Sequence, residues 1–224
     1  MLILALDTAT SAVTVAVHDG AHSLAESSTL GDRGHGEQLA PAIERVMADA
    51  GRDLGEVTDL VCGVGPGPFT GLRVGVVTAR VLGLALGLPV RGVVSLDALA
   101  HAAVRDAGPP ADGPLVVATD ARRKEVYWAE YDVAGADVVR RGDPEVSRPA
   151  ELPARLRGRP GVGRGPVLYP EAFGPALPPL DVSAAALAEL AAIRLRDGGE
   201  LLEPEPLYLR RPDARPSAPA PVAT

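Results

Sequence analysis

LILALDTATSAVTVAVHD, residues 2–19, is an apolar run ending at Asp7, a turn of small hydroxyl residues, and a second apolar run rich in β-branched residues. Asp19-Gly20 closes it with a hairpin signal. Residues 115–132 read LVVATDARRKEVYWAEYD, which repeats the plan. Asp7 matches Asp120 and Asp19 matches Asp132, both at an offset of 113, about half the chain. Two matched aspartates with no gap between them favour an internal duplication over a chance likeness of two apolar hairpins. Residues 106–114 (DAGPPADGP) read as the linker between the halves. The expected division is residues 1–106, residues 112–211 and a disordered tail, 212–224, with four prolines and almost no large apolar residue.

Working outward, strands are expected at 2–6, 12–17, 22–28, 60–64 and 90–94, then at 115–119 and 125–133. Leu39, Ile43, Val46, Met47 and Ala50 recur at helical spacing, with Pro41 in the first turn or at a kink. A second helix is expected at 70–86 and a third at 95–105, capped by Ser95. Beyond Val133 the pattern fades. A short helix is read near 150–156, a firm one at 183–196 with Ser183 as cap, and a short last strand at 207–209.

Asp7 is followed by Thr8, Ala9 and Thr10, and Asp120 by Ala121, Arg122 and Arg123. A carboxylate holding hydrated Mg²⁺ beside a turn that surrounds a phosphate, met by its twin across a cleft, describes the actin-like ATPase arrangement. An aspartate that merely caps a tight turn has the same sequence signature, and spacing alone does not separate the two. Residues 63–75 (GVGPGPFTGLRVG) are neither a P-loop, lacking Lys-Ser/Thr, nor a dinucleotide fingerprint, because the prolines remove backbone donors. Gly65, Pro66, Gly67, Phe69, Thr70 and Gly71 make a tight turn that delivers a helix N-terminus, with Thr70 as its cap. That N-terminus either binds an anion or only turns the chain. Gly71, Gly75, Ala79, Gly83 and Gly87 then recur every fourth residue along one face. Each mid-helix glycine costs about 1 kcal/mol relative to alanine, so packing must offset it. The other faces are apolar too, which predicts burial in the chain's own core or against another chain.

Composition narrows the functions. With 22 Lys+Arg against 29 Asp+Glu, the net charge is −7, which argues against autonomous nucleic-acid binding. The halves carry −5 (1–111) and −2 (112–224), so RNA contact by the Arg-rich 140–164 region is auxiliary at most. Twenty-one of the 22 cations are arginine, a drift of composition more than an RNA signal. The lone Cys62 excludes a disulfide framework and a Cys-rich zinc site. His18, His22, His35 and His101 form no metal-ligand spacing. The start of the chain lacks a basic n-region, and the most apolar stretch, 74–94, is broken by Arg80, Pro89 and Arg91, so no targeting signal or membrane span is expected.

Four stretches together resemble one family: Asp7-Thr8-Ala9-Thr10, His35 to Pro41 (HGEQLAP), Gly65 to Gly75 (GPGPFTGLRVG) and Asp120 to Tyr127 (DARRKEVY). They are similar to the TsaB (YeaZ) family, bacterial partner proteins in tRNA threonylcarbamoyladenosine synthesis, and the likeness spans most of residues 1–132. The resemblance implies an α/β, two-lobed actin-like ATPase fold (ASKHA, as in Hsp70 and sugar kinases), a duplicated β-sheet plus helices. It implies a cytoplasmic, non-catalytic scaffold for the transfer of a threonylcarbamoyl group to N6 of the adenosine beside the anticodon of ANN-decoding tRNAs. The partners implied are the metalloenzyme TsaD, as a heterodimer, and the ATPase TsaE, with a homodimer when alone and tRNA met only through the complex. Joined to the helix reading, it puts the partner face on Leu39, Ile43, Val46, Met47, Gly71, Arg73, Gly75, Val76, Ala79, Arg80 and Gly83. No catalytic residue, metal or resident cofactor is implied. Any ATP with Mg²⁺ is confined to weak binding at Asp7, Thr8, Thr10, Asp120 and Arg122, or to the subunit interface.

The metalloenzyme of that system carries H-x-E-x-H ligands. The matching window here, thirty residues past Gly65, reads Ser95-Leu96-Asp97-Ala98-Leu99. A leucine side chain offers no lone pair to a metal. The rival reading is a small ATP-dependent phosphotransferase of the actin-like superfamily using Asp7 and Asp120. Against it stand the short chain and the lack of a second Gly-rich segment near Ser183 to hold adenosine.

Overall fold

Both apolar runs of the opening stretch are strands, β1 (Ile3–Asp7) and β2 (Ala12–His18), paired antiparallel from Ile3↔His18 to Asp7↔Thr14. All twelve of their residues are buried, which is why neither run shows a polar alternation. The computed structural model describes residues 1–31, 34–108 and 114–210; the expected tail and most of the expected linker lie outside them. In the first half follow β3 (Ser23–Leu30), α1 (His35–Asp49), β4 (Asp59–Gly63), α2 (Phe69–Leu86), β5 (Val90–Val93) and α3 (Ser95–Ala107). The second half has β6 (Leu115–Asp120), β7 (Val126–Ala134), β8 (Asp137–Ser147), β9 (Gly161–Val162), α4 (Arg164–Leu168), β10 (Ala176–Leu177) and α5 (Ala184–Arg196).

The first sheet has the order β3-β2-β1-β4-β5 and the second β8-β7-β6-β9-β10. In each, three antiparallel strands are followed by two parallel ones. The duplication is therefore one of topology, and the architecture is the two-lobed actin-like fold. β8 is the strand that the fading pattern concealed. It is an edge strand, largely exposed, holding Arg140, Arg141 and Pro144, so it carries no apolar alternation to read. The helix expected near 150–156 is only a 3-10 turn, Pro149–Glu151. No strand forms at 207–209, which makes one bond to the first sheet's end, from Leu207 N–H to the Val64 carbonyl; upstream, before Pro204 and Pro206 remove donors, the chain makes an isolated bridge at Gly92↔Leu202.

The halves exchange their last helices. α3 packs on β6, β7 and β8, while α5 packs on β1, β2, β3 and β4. The main core cluster accordingly joins Leu4, Leu6 and Leu99 with Val117, Tyr131 and Leu187. Sequence division at 106 and 112 thus separates the repeats but not the packing units. At the crossing, buried Asp97 of α3 accepts from Tyr131 Oη (3.0 Å), Arg140 (3.1 Å) and Arg194 (3.1 Å). The chain end adds a strap, with Tyr208 against Phe69 (centroids 4.9 Å) and Arg210 paired with Glu125 and donating to the Ala121 carbonyl at 2.7 Å.

Capping is as read at one helix and not at two others. Ser183 Oγ accepts from Ala186 N–H at 3.1 Å and lies 2.8 Å from Glu26 Oε1. Ser183→Ala is expected to cost about 1 kcal/mol in urea unfolding; no shift in midpoint would contradict the cap. Thr70 lies inside the first turn of α2, whose N-cap is Pro68. Ser95 is not a cap either: Val94 holds that position, and Ser95 is turned into the core. Pro41 lies in the second turn, because α1 begins at His35, ahead of the apolar spacing.

Candidate functional site

α2 has two apolar faces with different uses. Its small-residue stripe faces the first sheet: a Cβ on Gly75 would stand 2.6 Å from Thr8 Oγ1, and one on Gly83 would overlap Val90. The glycines let α2 approach the ends of β1 and β5, and that packing offsets their helical cost. Most of the expected partner face is therefore core. Leu39, Ile43, Val46, Met47, Gly75, Val76, Ala79 and Gly83 are buried, and Gly71 is half-buried beneath Thr8. Only Arg73 and Arg80 of that set are exposed.

The exposed face lies on the opposite side of the helix. Phe69, Arg73, Val77, Val81 and Leu84 follow one another at helical spacing, and Val77, Val81 and Leu84 are 50%, 59% and 86% exposed. Arg73 sits over the Phe69 ring at 5.0 Å. Below this stripe a groove of about 720 Å³ runs between Val77, Val81, Leu84, Leu88, Val90 and Pro204. α2 is long and apolar enough to cross a bilayer by length and composition, yet it is one-sidedly packed on a sheet. The sequence pattern, apolar all round, could not show which stripe faces out.

Asp7 is fully buried. Its Oδ1 accepts from Ala9 N–H (2.7 Å) and its Oδ2 from Ser95 Oγ (2.5 Å). Burial pushes its carboxyl from the ordinary 3.8 up to about 6, against the lowering effect of the Ser95 and Ala9 hydrogen bonds. Asp7 is thus a structural brace and does not line the cleft. The folded pKa lies above the unfolded one, so the native state holds a proton between pH 3.8 and 6 that the unfolded chain has released. Stability from this group is full below pH 3.8 and is lost as pH rises through 6. Asp7→Asn is expected to gain on the wild type by about 2 kcal/mol between pH 4 and pH 7 in denaturant titrations. A gap independent of pH would sink this assignment.

The cleft between the halves is a cavity of about 530 Å³. Thr8, Thr10, Asp120 and Arg122, four of the five expected phosphate-loop residues, line it. Thr8 is already spent, donating to the Gly71 carbonyl (2.7 Å) and accepting from Gly75 N–H (2.9 Å). Asp120 accepts from Arg122 N–H at 2.8 Å and pairs with its guanidinium at 3.4 Å. The first turn of α2, read from the sequence as either an anion site or a plain turn, lines it too; sequence reading missed the first turn of α1, Thr119, Arg164 and Asp181.

The H-x-E-x-H window holds no ligand set. Ser95 bonds Asp7, Leu99 is in the core, and Asp97 holds two arginines. Among the described residues no three His, Cys, Asp or Glu side chains gather. Cys62 is buried and its thiol is pushed up to about 12 by desolvation, so it is unreactive. Four of the seven arginines in 140–164 are ion-paired within the chain, Arg140 with Asp97, Arg141 with Asp132, Arg155 with buried Glu130 and Arg164 with Asp181, while Arg141 and Arg155 stay more than half exposed.

A family model described as tRNA N6-adenosine threonylcarbamoyltransferase, TsaD, matches residues 28–162. An uncharacterised protein of Mycobacterium tuberculosis is 40% identical over 221 residues, 96% of this chain and 95% of its own length. The Escherichia coli protein named tRNA threonylcarbamoyladenosine biosynthesis protein TsaB is 39% identical over 132 residues, 58% of this chain and 55% of its own. The structure of YeaZ from Pseudomonas aeruginosa is similar with a TM-score of 0.78 at 31% identity, covering 93% of this chain and 99% of that one.

Proposed function

The chain belongs to the TsaB/YeaZ family, and we propose that it is a non-catalytic subunit of the cytoplasmic machinery that makes threonylcarbamoyladenosine in tRNA. Its task in this reading is to dock a TsaD-type metalloenzyme, with a TsaE-type ATPase as third member and tRNA met through the assembly. The observation that carries the proposal is the outer stripe of α2. Val77, Val81 and Leu84 offer a row of large apolar side chains at helical spacing, with Arg73 and Arg80 beside it. A helix that exposes such a row lowers its free energy by burying it against another chain. Without the partner, the same stripe is available to a second copy.

The scaffold reading also draws on the chemistry that is already committed. Asp7 has both carboxylate oxygens occupied, is fully buried and is absent from the lining of the cleft. The test is native mass spectrometry of the chain alone and mixed with TsaD of the same organism. A homodimer that exchanges into a heterodimer supports the reading. A monomer that ignores TsaD overturns it and brings Mg-ATP turnover forward as the rival.

A further inference from the structure

We infer that residues 202–210 are a coupling strap. They tie the first residue of α2 to the β6–β7 turn in the other half, so that neither changes conformation without the other. Arg210 grips the turn and Tyr208 rests on the helix. The inference concerns the lone chain and does not rest on the partner reading.

The turn is the strained element. Arg122, Arg123 and Lys124 have φ of 59°, 56° and 61°. Three successive non-glycine residues in the left-handed region persist only where their surroundings over-determine them. The turn's own backbone supplies two bonds, Ala121 N–H to the Glu125 carbonyl and Glu125 N–H to the Arg122 carbonyl, both at 3.0 Å. Asp120 adds a third, accepting from Arg122 N–H at 2.8 Å. The remaining hold comes from a residue 89 positions beyond Ala121. Arg210 donates from Nη1 to the Ala121 carbonyl at 2.7 Å, pairs with the Glu125 carboxylate and lies 5.7 Å from the centre of the Tyr127 ring. One guanidinium thus clasps both ends of the strained run, and its planar fork suits that double grip.

The rest of the strap is fixed to the first half. Leu202 exchanges backbone hydrogen bonds with Gly92 at the edge of β5. The approach there needs glycine, because a Cβ on Gly92 would stand 2.7 Å from the Glu203 carbonyl oxygen. Leu207 N–H donates to the Val64 carbonyl at 2.8 Å, and the Tyr208 ring packs on Phe69, the first residue of α2, with centroids 4.9 Å apart. Only Leu209 separates Tyr208 from Arg210. Pro204 and Pro206 fix their own φ angles, and the N–H groups of Glu205 and Tyr208 bond two residues back, to the Glu203 and Pro206 carbonyls at 2.8 and 3.1 Å. The segment is therefore stiff. A stiff segment anchored on both halves passes on a displacement that a flexible tether would absorb. A molecule that lifts Tyr208 off Phe69 would loosen the turn, and one that draws Arg210 off Glu125 would loosen the start of α2.

The test is amide hydrogen exchange on the full ¹⁵N-labelled chain, with one variant at each end. Tyr208→Ala, at the α2 end, should speed exchange at Ala121 and Glu125 at least about fivefold, while the buried Val117 amide keeps its rate. Tyr208→Phe, which keeps the ring, should restore the slow rates. Arg210→Gln, at the turn end, should speed exchange at Leu207 and shift the Phe69 amide, since coupling is reciprocal. Combining Tyr208→Ala with Arg210→Gln should add little to either, because one strap undocks only once. Effects confined to the mutated end, additive effects in the double variant, or equal acceleration at Val117 would overturn the inference. Far-site effects in a chain that ignores a TsaD-type protein would uphold it and fail the partner reading alone.

Discussion

A chain carrying Val81→Glu and Leu84→Glu is expected to keep its fold and to lose binding to the TsaD-type partner proposed above. Both side chains are more than half exposed, so two carboxylates there cost the monomer little. In the docked state they would be taken out of water beside apolar surface, without a fixed cation for each. A loss of about 3 kcal/mol, somewhat more than a hundredfold in Kd, is expected. Native mass spectrometry and calorimetric titration read the loss, while circular dichroism and the melting curve should match the wild type. The contrast variant is Val76→Glu. Val76 is 1% exposed on the inner side of α2, so this change should unfold the chain instead. A double variant that binds TsaD normally would remove the outer stripe from the interface.

Asp97→Asn is expected to be the most destabilising conservative change at the crossing of the halves. The carboxylate is nearly buried and receives three donors, from β7, β8 and α5. Removing its charge leaves two guanidinium groups, 23% and 33% exposed, without their counter-ion. Breaking such a buried group costs about 3 kcal/mol after allowance for the partial exposure of the arginines. For a chain of this size that is a drop of roughly 6–12 °C in melting temperature. Adding Arg140→Gln should recover part of the loss, as expected for coupled neighbours. A loss below about 1 kcal/mol would show that the exchanged helices are held by apolar packing alone.

The repeat was legible because β1, β2, β6 and the first six residues of β7 are buried on both faces, so the two hairpins read alike and carry aspartates at matched positions. β8 was not legible: an edge strand needs no apolar face, and its Arg140 answers to a carboxylate, Asp97, far away in sequence. The cleft was half legible. Thr8, Thr10, Asp120 and Arg122 were found from the turns that carry them. Thr119 was not, since a threonine ending a strand looks like any β-branched residue until its hydroxyl is seen without a partner. Asp7 was read for its position in the repeat, but its role is set by Ser95, 88 residues away.

Four stretches of the sequence carry the resemblance to the family, and by itself the sequence determined the duplicated α/β plan and the order of the main elements. Those follow from local periodicity, turn chemistry and a glycine-rich motif, all of which act over a few residues. Only the tertiary structure decided which stripe of α2 is core and which is surface. The helix is apolar all round, and its orientation depends on Thr8, Leu6 and Val90 meeting glycines that have no Cβ to exclude them. The same long-range packing sent α3 and α5 to opposite sheets and turned Asp97, the acidic residue of an H-x-E-x-H-like window, into a strut between the halves.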